Sequence, residues 1–290
     1  MGIAGLGATV ATLSETETSF APLLYFPSRL SGLVDFFGEL YSENPGRAQI
    51  MPDGKVEIAF FLGDSDVSEF YLDEDEEYDR GSRNTFSLLF SVANRPQIVS
   101  GKCLHVLLAV MSPAVAMLMF GVPASELSNR TVNPAIFGVN LNPLEDALKS
   151  LPTFEQRAGF LENWMVNRLE QGGSMPEFIS LSRAMVDIFH DSRRVPNTYQ
   201  VLDLTGYSKA HANRLAKQWL GMPFERYTAL RRYRKALALL NTSLPLVDVA
   251  SAAGYFDQAH FTHRFTEYSG LSPSEYRATP RAGADTLFVA

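Results

Sequence analysis

The 290-residue sequence has one cysteine, Cys103. A single thiol cannot build an internal disulfide framework, and it suits a reducing compartment. Motifs that grip cofactors are missing too: there is no glycine-rich phosphate loop, no His-Glu zinc motif and no Ser or Cys in a nucleophile pattern. No catalytic residue, cofactor or metal is expected. Cys103 and His105 share a strand face within an apolar run, where a buried structural pair is the better reading. The first twenty residues hold neither Lys nor Arg. They lack the basic start of a secretory signal and read as a flexible arm over 1–19.

Long hydrophobic runs are scarce. The stretch CLHVLLAVMSPAVAMLMFG approaches membrane-spanning length, but it contains His105 and a Ser112-Pro113 break. A strand followed by a helix that opens at Pro113 explains it better, since Pro is favoured at the first helical position. No membrane partner is expected, and the chain reads as cytoplasmic.

What is present begins with size and charge. At 46% apolar the chain is long enough for two domains. The net charge of −7 conceals a division: residues 1–190 hold 12 basic and 24 acidic side chains, and residues 191–281 hold 13 and 7. A basic rear half fits a polyanionic partner, or simply a solvated face.

The chain pattern divides at the same place. KVEIAFFLG, TFSLLFSVA, PQIVSG and LHVLLAVM read as strands, and MPDG, Met51 to Gly54, as a type I turn leading into one. The acidic run DEDEEYD reads as a solvated loop, because it lacks the glycine and terminal glutamate of a calcium loop. From Pro113 the pattern turns helical. Phe154, Ala158, Leu161, Met165 and Leu169 form one apolar stripe. Phe178, Leu181, Met185 and Ile188 form another after a Gly-Gly-Ser break, which reads as core or as the contact of a homodimer.

The predicted architecture is therefore α+β in two domains. A domain over 20–190 has a β part to about 112, a small barrel or sandwich, and a helical part over 113–190. An all-α domain follows over 191–280, with a tail at 281–290.

The second domain is internally duplicated. VLDLTGYSKAHANRLAKQWLG and VASAAGYFDQAHFTHRFTEYSG each give a short helix ending in Gly-Tyr, a tight turn and a longer helix ending in Gly. Each copy has the form of a helix-turn-helix. Gly206 and Gly254 sit where the turn needs positive φ, and Ser208 and Asp257 are N-cap types opening the second helices. A joining helix buries Leu230, Tyr233, Leu237 and Leu240, with Arg231, Arg232, Arg234 and Lys235 around it.

Over about residues 196–277 this pattern resembles the DNA-binding domain of AraC-type bacterial transcription regulators. The resemblance rests on Arg232, Tyr233, Ala236, Leu239 and Leu240 in the joining helix, then Ala250, Ala253, Gly254, Tyr255, Phe261, Phe265 and GLSPSEY. The front half, with QIMPDGKVEIAFFLG and FGVPASELSNRTV, is similar to an N-terminal domain often fused to this module, for sensing or dimerisation. The first copy departs from the pattern: Ala212 and Ala216 stand where larger apolar residues are usual, which predicts looser packing there.

The resemblance implies double-stranded promoter DNA as the partner, with RNA polymerase and an unidentified small-molecule effector as further ones. In the first copy the matching base-contact positions are Ala210, Asn213 and Arg214. Ser208 caps that helix, and Lys209 and Lys217 face phosphates. In the second copy they are Gln258, Ala259, His260, Thr262 and His263, with Arg264 for a phosphate. Asn and Gln can pair with adenine in bidentate fashion, and Arg with guanine. His263 stands where the family commonly places Arg. Phe261 and Phe265 fall on the opposite side of the helix, at core positions. A metal on Asp257, His260 and His263 is disfavoured, because residues six apart on a helix lie about 9 Å apart along the axis while zinc ligands lie near 2 Å. The front domain stands open as a sensor, a dimerisation or protein-contact module, or an enzyme.

Overall fold

A computed structural model describes residues 23–43, 46–63, 66–72, 77–79, 87–91, 97–171, 202–203, 206–279 and 286–288. The predicted arm over 1–19 and the stripe from Phe178 to Ile188 lie outside the described residues.

The N-terminal half is antiparallel sheet. Its strands are β1 (Leu23–Tyr25), β2 (Val34–Ser42), β3 (Gly46–Ile50), β4 (Val56–Phe61), β5 (Asp66–Leu72), β6 (Glu77–Asp79), β7 (Leu88–Ser91) and β8 (Gln97–Met111). PQIVSG and LHVLLAVM, expected as two strands, are this one fifteen-residue strand. It is the spine of the fold. Its second half pairs with β2 and β4, its first half with β3 and β5, so two sheets meet along it. The expected barrel or sandwich takes this form.

Both faces of the central strands are covered. Ile58 and Phe60 on β4 pack with Leu107 and Ala109 in the main core. Ala59 and Phe61, on the opposite face, join Leu88, Leu104 and Val106 in a second cluster. That is why Ile58 to Phe61, IAFF, is a continuous apolar run instead of an alternating one. Three helices cover the first face: α1 (Pro113–Phe120), α2 (Asn142–Ser150) and α3 (Phe154–Gln171). Helix α1 opens at Pro113 as expected and closes on Gly121 at φ +68°. Phe154, Ala158, Leu161 and Met165 of α3 are buried in the main core. A buried ion pair fastens α3 to the sheet, with Arg157 giving Nε and Nη2 to Glu39 at 2.8 and 2.6 Å. His105 Nε2 sits 3.0 Å from the same carboxylate.

The span expected to be helical after Pro113 also holds a strand, β9 (Arg130–Val132), which pairs with β7. It is three residues long, too short for a period to register in the sequence. The acidic run is likewise not all loop, since Glu77 to Asp79 pairs with β5.

The C-terminal half is helical: α4 (Lys209–Leu220), α5 (Phe224–Leu240), α6 (Leu246–Ala253), α7 (Gln258–Ser269) and α8 (Pro273–Ala278). The chain then returns to the first half. In the segment expected as a tail, β10 (Thr286–Phe288) pairs antiparallel with β3.

Candidate nucleic-acid interface

Helices α6 and α7 form the second duplicated unit. The turn between them passes through Gly254 at φ +87°, a conformation open to glycine and strained for other residues. Asp257 then caps α7, its Oδ1 accepting from His260 N at 2.7 Å. Both features match the sequence expectation. Rotation of α7 is set by its aromatic side: Phe261 and Phe265 are fully buried, 5.6 Å apart, with Tyr255 5.2 Å from Phe261 and Tyr233 5.2 Å from Phe265. Burial pushes the Tyr255 hydroxyl well above its ordinary range. With that side inward, Gln258, Ala259, His260, His263 and Arg264 face solvent. Thr262 is half-buried and donates its hydroxyl to Gln258 O at 2.9 Å. Arg264 pairs with exposed Glu267 at 2.7 Å, a surface contact worth about 0–1 kcal/mol.

In the first unit the turn residue Gly206 lies at φ +67°. Ser208 caps α4, its hydroxyl accepting from His211 N at 3.3 Å. Lys209, Ala210, Arg214 and Lys217 are exposed, and Arg214 Nη2 lies 2.9 Å from His211 Nδ1. Asn213 is different. Its Oδ1 accepts from Phe224 N at 3.1 Å, satisfying a free N–H at the start of α5. Asn213 thereby fastens the linker helix to α4, with its amide NH2 and the second lone pair of Oδ1 left for other partners.

Helix α5 carries both units. Leu230, Tyr233, Leu237 and Leu240 are buried along it as expected, while Arg231, Arg232, Arg234 and Lys235 are half-buried. Its last carbonyl is met by Arg277, whose Nε donates to Leu240 O at 3.3 Å while Nη2 donates to Leu244 O in the following loop at 2.8 Å. A cation there also complements the helix dipole. Sequence reasoning passed over Asn213 as a cap and Arg277 as a clamp, because neither partner is near in sequence.

The N-terminal half grips both units. Met51, at the start of the MPDG segment, which forms no hydrogen-bonded turn, is fully buried in the core that holds Leu230, Tyr233 and Phe265. Gln49 Nε2 donates to Ser269 O at 2.8 Å, and a Cβ on Gly54 would stand 2.6 Å from Leu230. On the first unit, Ala114 of α1 packs with Leu215, Ala216 and Trp219 of α4. Ala212 and Ala216, which stand where larger apolar residues are usual, are both buried, and Ala216 shares its cluster with Ala114 of α1.

Among the described residues no group of three or more His, Cys, Asp or Glu is placed to hold a metal, and no helix is long and apolar enough to cross a membrane. A capped helix-turn-helix, α6 and α7, and a second capped helix, α4, that follows a glycine turn, joined by one linker helix, have the form of a DNA-binding domain. Residues 202–279 match the family model described as a helix-turn-helix domain, and this segment is an AraC-type helix-turn-helix domain.

The HTH-type transcriptional activator AarP of Providencia stuartii is 35% identical over 86 residues, covering 29% of this chain and 64% of that protein. The HTH-type transcriptional regulator VqsM of Pseudomonas aeruginosa is 27% identical over 166 residues, 55% of this chain and 43% of that one. The chain thus spans less than two thirds of the length of these relatives. Among solved structures, ToxT from Vibrio cholerae O395 aligns over 83% of this chain and 96% of its own, at 12% identity and a TM-score of 0.45. At those values the likeness carries no functional weight.

Proposed function

We propose that the protein is a sequence-specific DNA-binding transcriptional regulator without enzymatic activity, whose helices α4 and α7 enter successive major grooves of promoter DNA. The observation that carries this reading is the exposed polar face of α7. Phe261 and Phe265 anchor one side of the helix, and Gln258, His260 and His263 stand on the other with no buried role. Arg214 and Lys217 on α4 give the first unit the matching chemistry. The named relatives, a transcriptional activator and a regulator, support the same class.

The N-terminal domain modulates that activity through a small molecule or a homodimer, and RNA polymerase is the downstream partner. Support for coupling comes from the contacts of Met51, Gln49 and Ala114 with the two units. A cleft of about 580 Å³ lined by Asn140, Trp164, Asn167 and Arg168 has the size of small-ligand sites.

Fluorescence anisotropy on genomic promoter fragments tests the first part. Tight binding to a subset of fragments at physiological salt is expected, and weak, sequence-independent binding would refute it. Thermal shift against a metabolite library tests the second: stabilisation without turnover identifies a sensor, and turnover an enzyme.

A further inference from the structure

We infer that Phe256 is a specificity-determining residue of the second unit, its ring contacting the C5 methyl group of a thymine beside the base pair addressed by His260. The inference rests on the DNA-binding function proposed above.

Phe256 lies between buried Tyr255 and the cap Asp257, and its side chain is 93% exposed. Every other aromatic ring of the unit, from Tyr255 through Phe261, Phe265 and Tyr268 to Tyr276, is buried. A phenyl ring held in water forgoes the burial that normally stabilises it. No packing role in the fold accounts for this one.

Its position is set by the reading helix itself. The Phe256 backbone N–H donates to His260 Nδ1 at 3.4 Å. With Nδ1 an acceptor, the neutral imidazole carries its proton on Nε2. The edge of the His260 ring also packs against Tyr255, 5.6 Å between centroids. The start of α7 therefore brings together two complementary groups: an Nε2–H donor on its first turn and an apolar ring on the residue just before its cap. The N-terminal residues of a reading helix are those that reach base edges. In the major groove, a donor meets guanine N7 or O6, or thymine O4, and the thymine methyl is the apolar feature.

Continuity with the reading face selects DNA over a protein as the occupant. Phe256 is followed by exposed Asp257, Gln258, Ala259 and His260, a polar surround that suits base edges. The other exposed apolar side chains of this unit, Leu244 and Val247, lie at the opposite end of α6 and form no patch with it.

The test uses the full chain as wild type, Phe256→Ala and Phe256→Leu. Motifs are selected from random duplexes, and each thymine of the wild-type motif is then replaced by deoxyuridine, which lacks only the methyl. At one thymine, the replacement should weaken wild type about fourfold, the worth of one buried methyl. It should leave Phe256→Ala unaffected, and that variant's selected motif should lose its thymine preference there, at an unchanged salt slope. Phe256→Leu should keep part of the preference. Melting temperatures should match, since the ring supports no core. The same motif and deoxyuridine profile for wild type and Phe256→Ala would overturn the inference. So would intact DNA readout with lost transcription by RNA polymerase, which would assign the ring to a protein contact. If wild type enriched no motif at all, the DNA-binding reading itself would fall, a result distinct from the other two.

Discussion

Ser128 donates its hydroxyl to the carbonyl oxygen of Gly221 at 2.8 Å, joining the N-terminal domain to the residue that ends the first reading helix. Gly221 lies at φ +76°, and a Cβ there would stand 2.5 Å from Ser128 Oγ and 2.8 Å from Ala124 O. The glycine answers two demands at once, the left-handed helix end and the close approach of the other domain.

Gly221→Ala should therefore destabilise by more than the roughly 1–2 kcal/mol of left-handed strain alone. Gly270→Ala is the control: its φ is +73° but no atom lies within 4 Å of its Cβ position. Urea unfolding of both variants should show a larger loss for Gly221→Ala. Equal losses would mean that the domain contact yields without cost.

The assignment of Asn213 predicts a stability phenotype. Asn213→Ala removes the acceptor for Phe224 N and should cost about 1 kcal/mol, as other lost helix caps do. Its DNA affinity should fall alike for all sequences. A changed base preference, read by motif selection, would show that Asn213 also reads a base.

Arg214→Ala and His263→Ala should lose discrimination between sequences, each by about 1–3 kcal/mol at one base pair. Lys217→Ala should weaken all sequences alike and lower the salt slope by about one unit. Unchanged specificity in the first two variants would contradict the placement of both helices on DNA.

Removing Arg157 should expose the cost of a buried charge. Arg157→Met strips the main counterion from buried Glu39 and should destabilise by about 3–5 kcal/mol, softened by the neighbouring His105. Replacing Glu39 as well with an apolar residue of like volume should recover much of the loss. Calorimetry on the single and double variants measures both.

At acid pH the capping box of α8 gives a defined response. Hydrogen bonds from the Ser272 hydroxyl and backbone N–H hold the Glu275 carboxyl below its ordinary value of 4.5. The stability this lends is present above 4.5 and is lost as pH falls through the lower folded value. Carboxylate NMR titration should place the Glu275 midpoint below that of an unstructured glutamate. In Glu275→Gln this increment of acid sensitivity should vanish.

The parts legible in the sequence were those whose signal is local. Ser208 and Asp257 announced caps, Gly206 and Gly254 announced turns, and the stripes on α3, α5 and α7 announced burial, because each depends on residues within a few positions. What escaped depends on distant partners. PQIVSG and LHVLLAVM read as two strands, yet β8 runs through both because β5 pairs on either side of Lys102, at Gly101 and at Cys103. The MPDG segment was read as a turn, and nothing nearby in sequence could say that it would instead carry Met51 into the core of the other domain. The exposed ring of Phe256 was equally hidden, since a residue between Tyr255 and a cap can point either way until the helix pair is packed.

The pairing of β10 with β3 makes the DNA-binding domain, in topological terms, an insertion. Chain enters it from the N-terminal domain and leaves it into a strand of that same domain, so it is tethered at both ends. A domain held by one linker can swing freely about it. One held by two can shift only as far as both allow, and a wide separation first requires three residues of sheet to unzip. Motion between sensing and reading parts is thereby confined to small hinge or sliding displacements, unless β10 is released.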